Sequence, residues 1–221
     1  MLVGLAAATV RVAGWRVCAG AAGPGADAPP PDVALVAIVR GTPSPGRVRS
    51  LSGSPYLPVL ALAPDDWIER HDWRALGYDG AVAGEAVPEA LADALAAWHR
   101  DATLATLDRL EASFGVAEVA ALVDRFGAML AGARDERDPA ALAHMAHRVA
   151  GIAGTLGFAA LGRLWLRFSE GETGLADSAR RAAAYAIATI AMYRDAGVAR
   201  QPVAVGDGEA DPTARGTAPR Q

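Results

Sequence analysis

Apolar residues follow different patterns in the two halves of the chain. Up to about Arg100, short apolar runs are separated by Gly and Pro, which is typical of strands and turns. Four runs predict strands: WRVCAGA, DVALVAIV, YLPVLALAP and GYDGAVAG. Helical patterns lie between or after them, notably PEALADALAAW from Pro88. Strands alternating with helices predict a parallel sheet in an α/β layer fold.

Residues 102–198 instead repeat apolar side chains at helical spacing, with Pro139 as their only proline. Four stripes predict helix faces: Leu104, Leu107, Leu110 and Phe114; Val116, Val119, Val123, Phe126 and Leu130; Leu142, Met145, Ala146, Val149, Ala153 and Leu156; Leu161, Leu164, Trp165 and Phe168. Asp138 before Pro139 predicts a helix start, and a last helix is expected from Leu175 to Tyr193. Short connections predict an all-α antiparallel bundle.

These patterns predict two domains and a tail. The α/β domain covers residues 1–100 and the helical bundle residues 101–200. The tail, residues 201–221, has no periodic apolar face and is expected to be disordered.

The net charge and the cysteine content argue against several classes of function for this protein. A net charge of -4 without a run of Lys or Arg argues against nucleic-acid binding and against a membrane-surface helix. Protein partners are expected instead. The single cysteine, Cys18, excludes an internal disulfide, and no apolar run is long enough to span a membrane. We expect a cytoplasmic protein.

His147 lies opposite the apolar stripe of its helix, and small residues surround it. At about 100° per residue, Ala150, Gly151 and Gly154 fall beside the imidazole. Each glycine costs a helix about 0.5 to 1 kcal/mol relative to alanine. That cost is understandable if another protein must approach His147. A neutral imidazole can attack an acyl phosphate, so the pattern indicates phosphoryl transfer between side chains.

The segment HRVAGIAGTLGF resembles the signature of histidine-containing phosphotransfer (Hpt) domains, in which Gly follows the histidine at the fourth position and a Leu-Gly pair comes near the tenth. The resemblance covers roughly residues 102–198 and implies a four-helix bundle with His147 as phosphoacceptor. It implies no cofactor bound by this chain, because Mg²⁺ would belong to the partner receiver domain. The residues expected to support His147 or dock the partner are His144, Arg148, Ala150, Gly151, Gly154, Thr155 and Gly157.

Ala150 departs from this family, which usually has lysine three residues after the histidine to help hold the phosphoryl group. Arg148 is close in sequence but lies on another side of the helix. The departure predicts either slower transfer or a bundle that binds receivers without carrying phosphate. His144 and His147 have the spacing of a metal-binding pair, but without a third ligand we expect no metal site. His71 and His99 are interpreted as surface residues.

The first domain resembles the receiver domain of response regulators, a doubly wound sheet with an acidic phosphorylation site. Ala37 stands where the acceptor aspartate is expected, Ala61 near the usual Thr or Ser, and Gly84 where lysine belongs. A degenerate receiver that is not phosphorylated is therefore expected. Asp65 and Asp66 are interpreted as helix caps.

The resemblance to a receiver leads us to expect that the first strand and its acidic pair are missing or remodelled. If LAAATVRVAGW is the first receiver helix, either the true start lies upstream or residues before Gly14 form a remodelled strand. GPGADAPPP is also too rich in Gly and Pro for the second receiver helix. The receiver-like fold is therefore expected to be pared down there, and its role is expected to be docking or homodimerisation.

The leading hypothesis is a bacterial two-component phosphorelay intermediate, in which His147 takes a phosphoryl group from one receiver and passes it to another. Its partners would be receivers of response regulators or of hybrid histidine kinases. The alternative is a non-catalytic adaptor that sequesters a receiver. An α/β enzyme with a helical extension is disfavoured, because no nucleophile-base set, P-loop or pair of catalytic carboxylates is found.

Overall fold

The computed structural model describes residues 32–86 and 88–200, which form a mostly helical fold with one small parallel sheet. Three of the four predicted strands lie in this part of the chain, and all three are confirmed. The predicted strand WRVCAGA, the predicted helix LAAATVRVAGW, Cys18 and the tail from Gln201 lie outside the described residues.

The sheet contains β1 (Ala34–Ala37), β2 (Val59–Ala63) and β3 (Gly80–Ala83), which are parallel and lie in that order. Helix α1 (Pro45–Ser52) joins β1 to β2, and α2 (Asp65–Arg70) lies between β2 and β3. All five residues of β2 are buried. A strand with neighbours on both sides and side chains packed on both faces has no polar position, which explains the run VLALA.

Six further helices follow the sheet. They are α3 (Pro88–Ala96), α4 (Arg100–Phe114), α5 (Val116–Asp135), α6 (Pro139–Thr155), α7 (Ala159–Ser169) and α8 (Ala176–Arg200), with a 3-10 turn at Thr173–Leu175 before α8. Helix α6 packs against α7, and α5 packs against α8. The last helix continues beyond the predicted end at Tyr193.

One hydrophobic core extends from the sheet into the helices. Leu60 and Leu62, on one face of β2, belong to the same buried cluster as Trp165 of α7. The opposite face of the sheet packs a smaller cluster around Val59. The predicted domain boundary near Arg100 coincides with the start of α4, and apolar packing is continuous across it.

The carboxylate of Asp79 joins the sheet to the helices. Its Oδ2 accepts hydrogen bonds from Arg49 Nη2 at 2.6 Å and from the backbone N–H of Val59 at 2.9 Å. Its Oδ1 accepts a hydrogen bond from Arg181 Nη2 at 2.9 Å. Because Arg49 belongs to α1 and Arg181 to α8, one buried carboxylate holds three elements together.

Phe114 and Val116 do not join the core as the apolar stripes predict. Their exposed fractions are 67% and 60%. Both flank Gly115, which has a φ of +94° at the turn between α4 and α5. The helical repeat ends at this turn, so the two side chains lie beyond the buried faces of their helices.

Asp65 and Asp66 do not cap α2 as expected. The N-cap position is Pro64, and no side chain makes a capping hydrogen bond there. Both carboxylates lie in the first turn of the helix, where the helix dipole favours negative charge. Asp66 instead accepts a hydrogen bond from Arg70.

Of the two histidines interpreted as surface residues, His71 is exposed and stacks on Trp67. His99 is half-buried.

Arg100, the residue after His99, forms an ion pair with Asp32, and its Nε lies 3.3 Å from Asp32 Oδ1. Burial raises the pKa of Asp32, and the charge of Arg100 opposes that shift.

We predict that Asp79→Ala lowers the free energy of unfolding by about 3 kcal/mol or more, because it leaves two arginines without their shared carboxylate. The matched control is Asp66→Ala, which removes an exposed pair with Arg70 and should cost less than about 0.5 kcal/mol. Urea unfolding followed by circular dichroism measures both. Equal losses in the two variants would contradict the role assigned to Asp79.

Candidate functional site

Helix α6 begins where the sequence predicts. The side chain of Asp138 accepts hydrogen bonds from the N–H groups of Ala140 at 3.2 Å and Ala141 at 3.1 Å. Pro139 occupies the first turn, where its missing N–H is not needed. This cap fixes the residue at which helical geometry starts, and with it the direction of every later side chain.

The predicted apolar side of α6 is buried. Five of its side chains have no exposed surface: Leu142, Ala146, Val149, Ala153 and Leu156. Met145, the sixth member of the predicted stripe, is partly buried against the same core. The rotation of α6 about its own axis is therefore fixed by its packing.

The opposite side of α6, which we call the His147 face, is exposed. It comprises Ala140, Ala143, His144, His147, Arg148, Gly151, Gly154 and Thr155. Within the described part of the chain, the imidazole of His147 makes no hydrogen bond. Sequence reasoning missed Ala140 and Ala143, although their positions seven and four residues before the histidine place them on this face.

Gly151 and Gly154 border open space. A Cβ atom built on either residue would meet nothing within 4 Å. Packing within the described chain therefore does not require glycine at these two positions. Their effect is to leave open space on the helix surface around His147.

Gly157, unlike Gly151 and Gly154, is required by the fold. Its φ is +83°, and a Cβ atom there would lie 2.8 Å from Thr106 Cβ. Its N–H donates to Gly154 O at 3.3 Å, while the N–H of Phe158 donates to Ala153 O at 2.9 Å. These bonds form the glycine-dependent helix ending called the Schellman motif.

Ala150 lies between the His147 face and α7. It is half-buried and packs against the core. A Cβ atom built on Gly162 of α7 would lie 3.5 Å from both Ala150 O and Gly154 N, so the two helix backbones approach closely. The position at which the Hpt signature has lysine thus borders the α6–α7 contact and carries no cation.

The other polar groups of the face are placed as follows. Arg148 and His144 are exposed. Arg148, expected on another side of the helix, lies at the edge of the exposed face, about 100° around the helix axis from His147. The hydroxyl of Thr155 donates to Gly151 O at 3.3 Å, so it serves the helix backbone. Among the described residues, no group of three or more His, Cys, Asp or Glu side chains could hold a metal ion.

The residues at the expected phosphorylation site of the sheet have no side-chain group that could bind phosphate or metal. Ala37 ends β1, and Ala61 lies in the middle of β2. Gly84 follows β3, and its N–H donates to Ala63 O at 2.7 Å. At these three positions the chain has alanine or glycine where the receiver signature has functional side chains.

Comparison of the chain with protein-family models, with curated proteins and with solved structures finds no match in any of the three. Within residues 32–86 and 88–200, no helix is long and apolar enough to cross a membrane.

We predict that alanine substitution has opposite effects at two glycines three residues apart. Gly157→Ala should lower the free energy of unfolding by about 1 to 3 kcal/mol, because of its positive φ and the contact with Thr106. Gly154→Ala, in open helical surface, should raise it by up to about 1 kcal/mol. Thermal unfolding measures both changes, and changes of the same sign would contradict the roles given to these glycines.

Proposed function

We propose that the protein is a phosphorelay intermediate of the Hpt type. His147 accepts a phosphoryl group from a phosphoaspartate of one receiver domain and passes it to the aspartate of another. The observation that carries this proposal is the exposure of His147 on a helix face whose flanking positions, Ala143, Gly151 and Gly154, are all small. In-line attack needs an accessible nitrogen and a clear approach, and this face offers both.

The phosphoryl transfer needs no further reactant, because every bond, electron pair and proton is accounted for. The lone pair of a neutral imidazole nitrogen forms a bond to phosphorus while the bond between phosphorus and the acyl oxygen breaks. The departing carboxylate keeps the electron pair of the broken bond, and the proton on the other ring nitrogen stays in place. Transfer to the second receiver reverses these steps. Mg²⁺, where it is needed, is supplied by the receiver.

The remaining parts of the chain have supporting roles in this proposal. The α/β segment is a degenerate receiver that docks partners or pairs with a second copy, since alanine and glycine occupy its expected phosphorylation site. The protein acts in the cytoplasm, where two-component receivers are found. It binds no cofactor of its own and contacts neither nucleic acid nor membrane.

One observation favours a second candidate function, that of an adaptor which binds a receiver without exchanging phosphate. Ala150 carries no charge at the position where Hpt domains usually have lysine, and it is half-buried beside α7. A face that accepts a receiver but lacks this cation would hold the partner and leave its phosphoaspartate intact.

Phosphotransfer from receiver domains separates the two functions. A panel of purified receivers is labelled with radioactive acetyl phosphate and mixed with the protein. We expect label on the wild type, none on His147→Ala, and near-normal labelling of the matched control His71→Ala, an exposed histidine outside the His147 face. Receiver binding without any transfer to the wild type would overturn the relay and leave the adaptor.

Filling the open space beside the imidazole tests the access argument. Gly151→Leu places a side chain where nothing lies within 4 Å, so the protein should stay folded. Transfer from receivers should fall about tenfold to a hundredfold, because the partner can no longer align its phosphoryl group. Ala128→Leu, on the exposed side of α5, is the control for added bulk. Undiminished transfer to Gly151→Leu would contradict the claim that a receiver needs open space beside the imidazole of His147.

A further inference from the structure

The α6–α7 hairpin differs in charge from the rest of the chain. Residues 139–169 contain Arg148, Arg163 and Arg167 but no Asp or Glu, although the whole chain has a net charge of -4. The nearest carboxylates in sequence are Asp138 and Glu170, at the two ends of the segment. The hairpin that carries His147 is therefore cationic within an acidic protein.

Two of these three arginines have no carboxylate partner in the described residues. Arg167 donates to Glu172 Oε1 at 2.7 Å, and this bond lowers the pKa of Glu172. Arg148 and Arg163 are exposed, and neither forms an ion pair with residues 32–86 or 88–200. Their positive charges are consequently available to a partner.

The packing of α7 places Gly162, the residue before Arg163, against the backbone of α6 at Gly154, a member of the His147 face. Gly162 contacts α6 next to Ala150, and Arg163 is the following residue. The three-residue connection between the helices makes α7 return along α6. Leu166, one turn after Gly162 and on the same side of α7, is 42% exposed. Arg148 lies on α6, directly after His147.

We infer that the His147 face, together with Arg163 and Leu166, is a docking surface for the acidic, phosphorylated face of a receiver-type partner protein. The inference rests on the proposed function, and it names the charge that guides the partner. A phosphoryl group and the carboxylates around it are attracted by Arg148 and Arg163, which raises the rate of productive encounter. Arg163 also supplies, from α7, positive charge that Ala150 does not provide.

The test compares second-order rate constants of transfer from phosphorylated receivers at ionic strengths below and above ~0.15 M. Arg163→Glu and Arg148→Glu should each lower the rate constant about tenfold or more at low salt and weaken its salt dependence. Arg163→Lys should retain most of the rate. The matched control is Arg125→Glu, an exposed position on α5, which should leave the rate unchanged.

Chemical phosphorylation with phosphoramidate separates docking from chemistry, because this small donor needs no protein surface. It should label His147 equally in the wild type and in the arginine variants. Transfer from receivers that is insensitive to Arg163→Glu would overturn the inference and leave the proposed function standing. Absence of transfer from any receiver to the wild type would overturn both. A loss of phosphoramidate labelling in Arg163→Glu would also contradict a docking role.

Discussion

The burial of one side of α6 is the constraint on which the candidate site depends. Leu142, Val149 and Leu156 are fully buried, together with the alanines between them. Burying a large apolar side chain stabilises the fold by about 1.5 to 3 kcal/mol. Rotating α6 about its axis by the angle between two successive residues would therefore lose several such contributions. The orientation that satisfies the core leaves His147 in solvent. Exposure of the imidazole is thus a consequence of packing on the opposite side of the helix.

The surroundings of the histidine depend on a second contact, the close approach of α7. Gly162 allows the backbones of α6 and α7 to come together at Ala150 and Gly154, and Arg163 is the next residue of α7. Outside the His147 face, the carboxylate of Asp79 connects the sheet to α8 by accepting a hydrogen bond from Arg181. The helices that support α6 are in this way anchored to the α/β segment by an ion pair as well as by apolar packing.

Local patterns were sufficient to predict the start of α6 at Asp138, its buried side and the exposure of His147, since each depends on residues within a few turns. They failed at Phe114, because periodicity does not reveal where a turn removes a side chain from the core. The bond between Asp79 and Arg181 joins residues 102 positions apart, and no local signal predicts such a pair. The proximity of Arg163 to the site likewise depends on helix packing.

The central claim is that His147, among the four histidines of the chain, is the residue that carries phosphate. The most direct measurement is mass-spectrometric mapping of the wild-type protein after incubation with phosphorylated receivers, under alkaline conditions that preserve the phosphorus–nitrogen bond. We expect one phosphoryl group, on the peptide that contains His147 and on that residue. Phosphate on His71, His99 or His144, or unmodified protein recovered from a stable complex with a phosphorylated receiver, would contradict it.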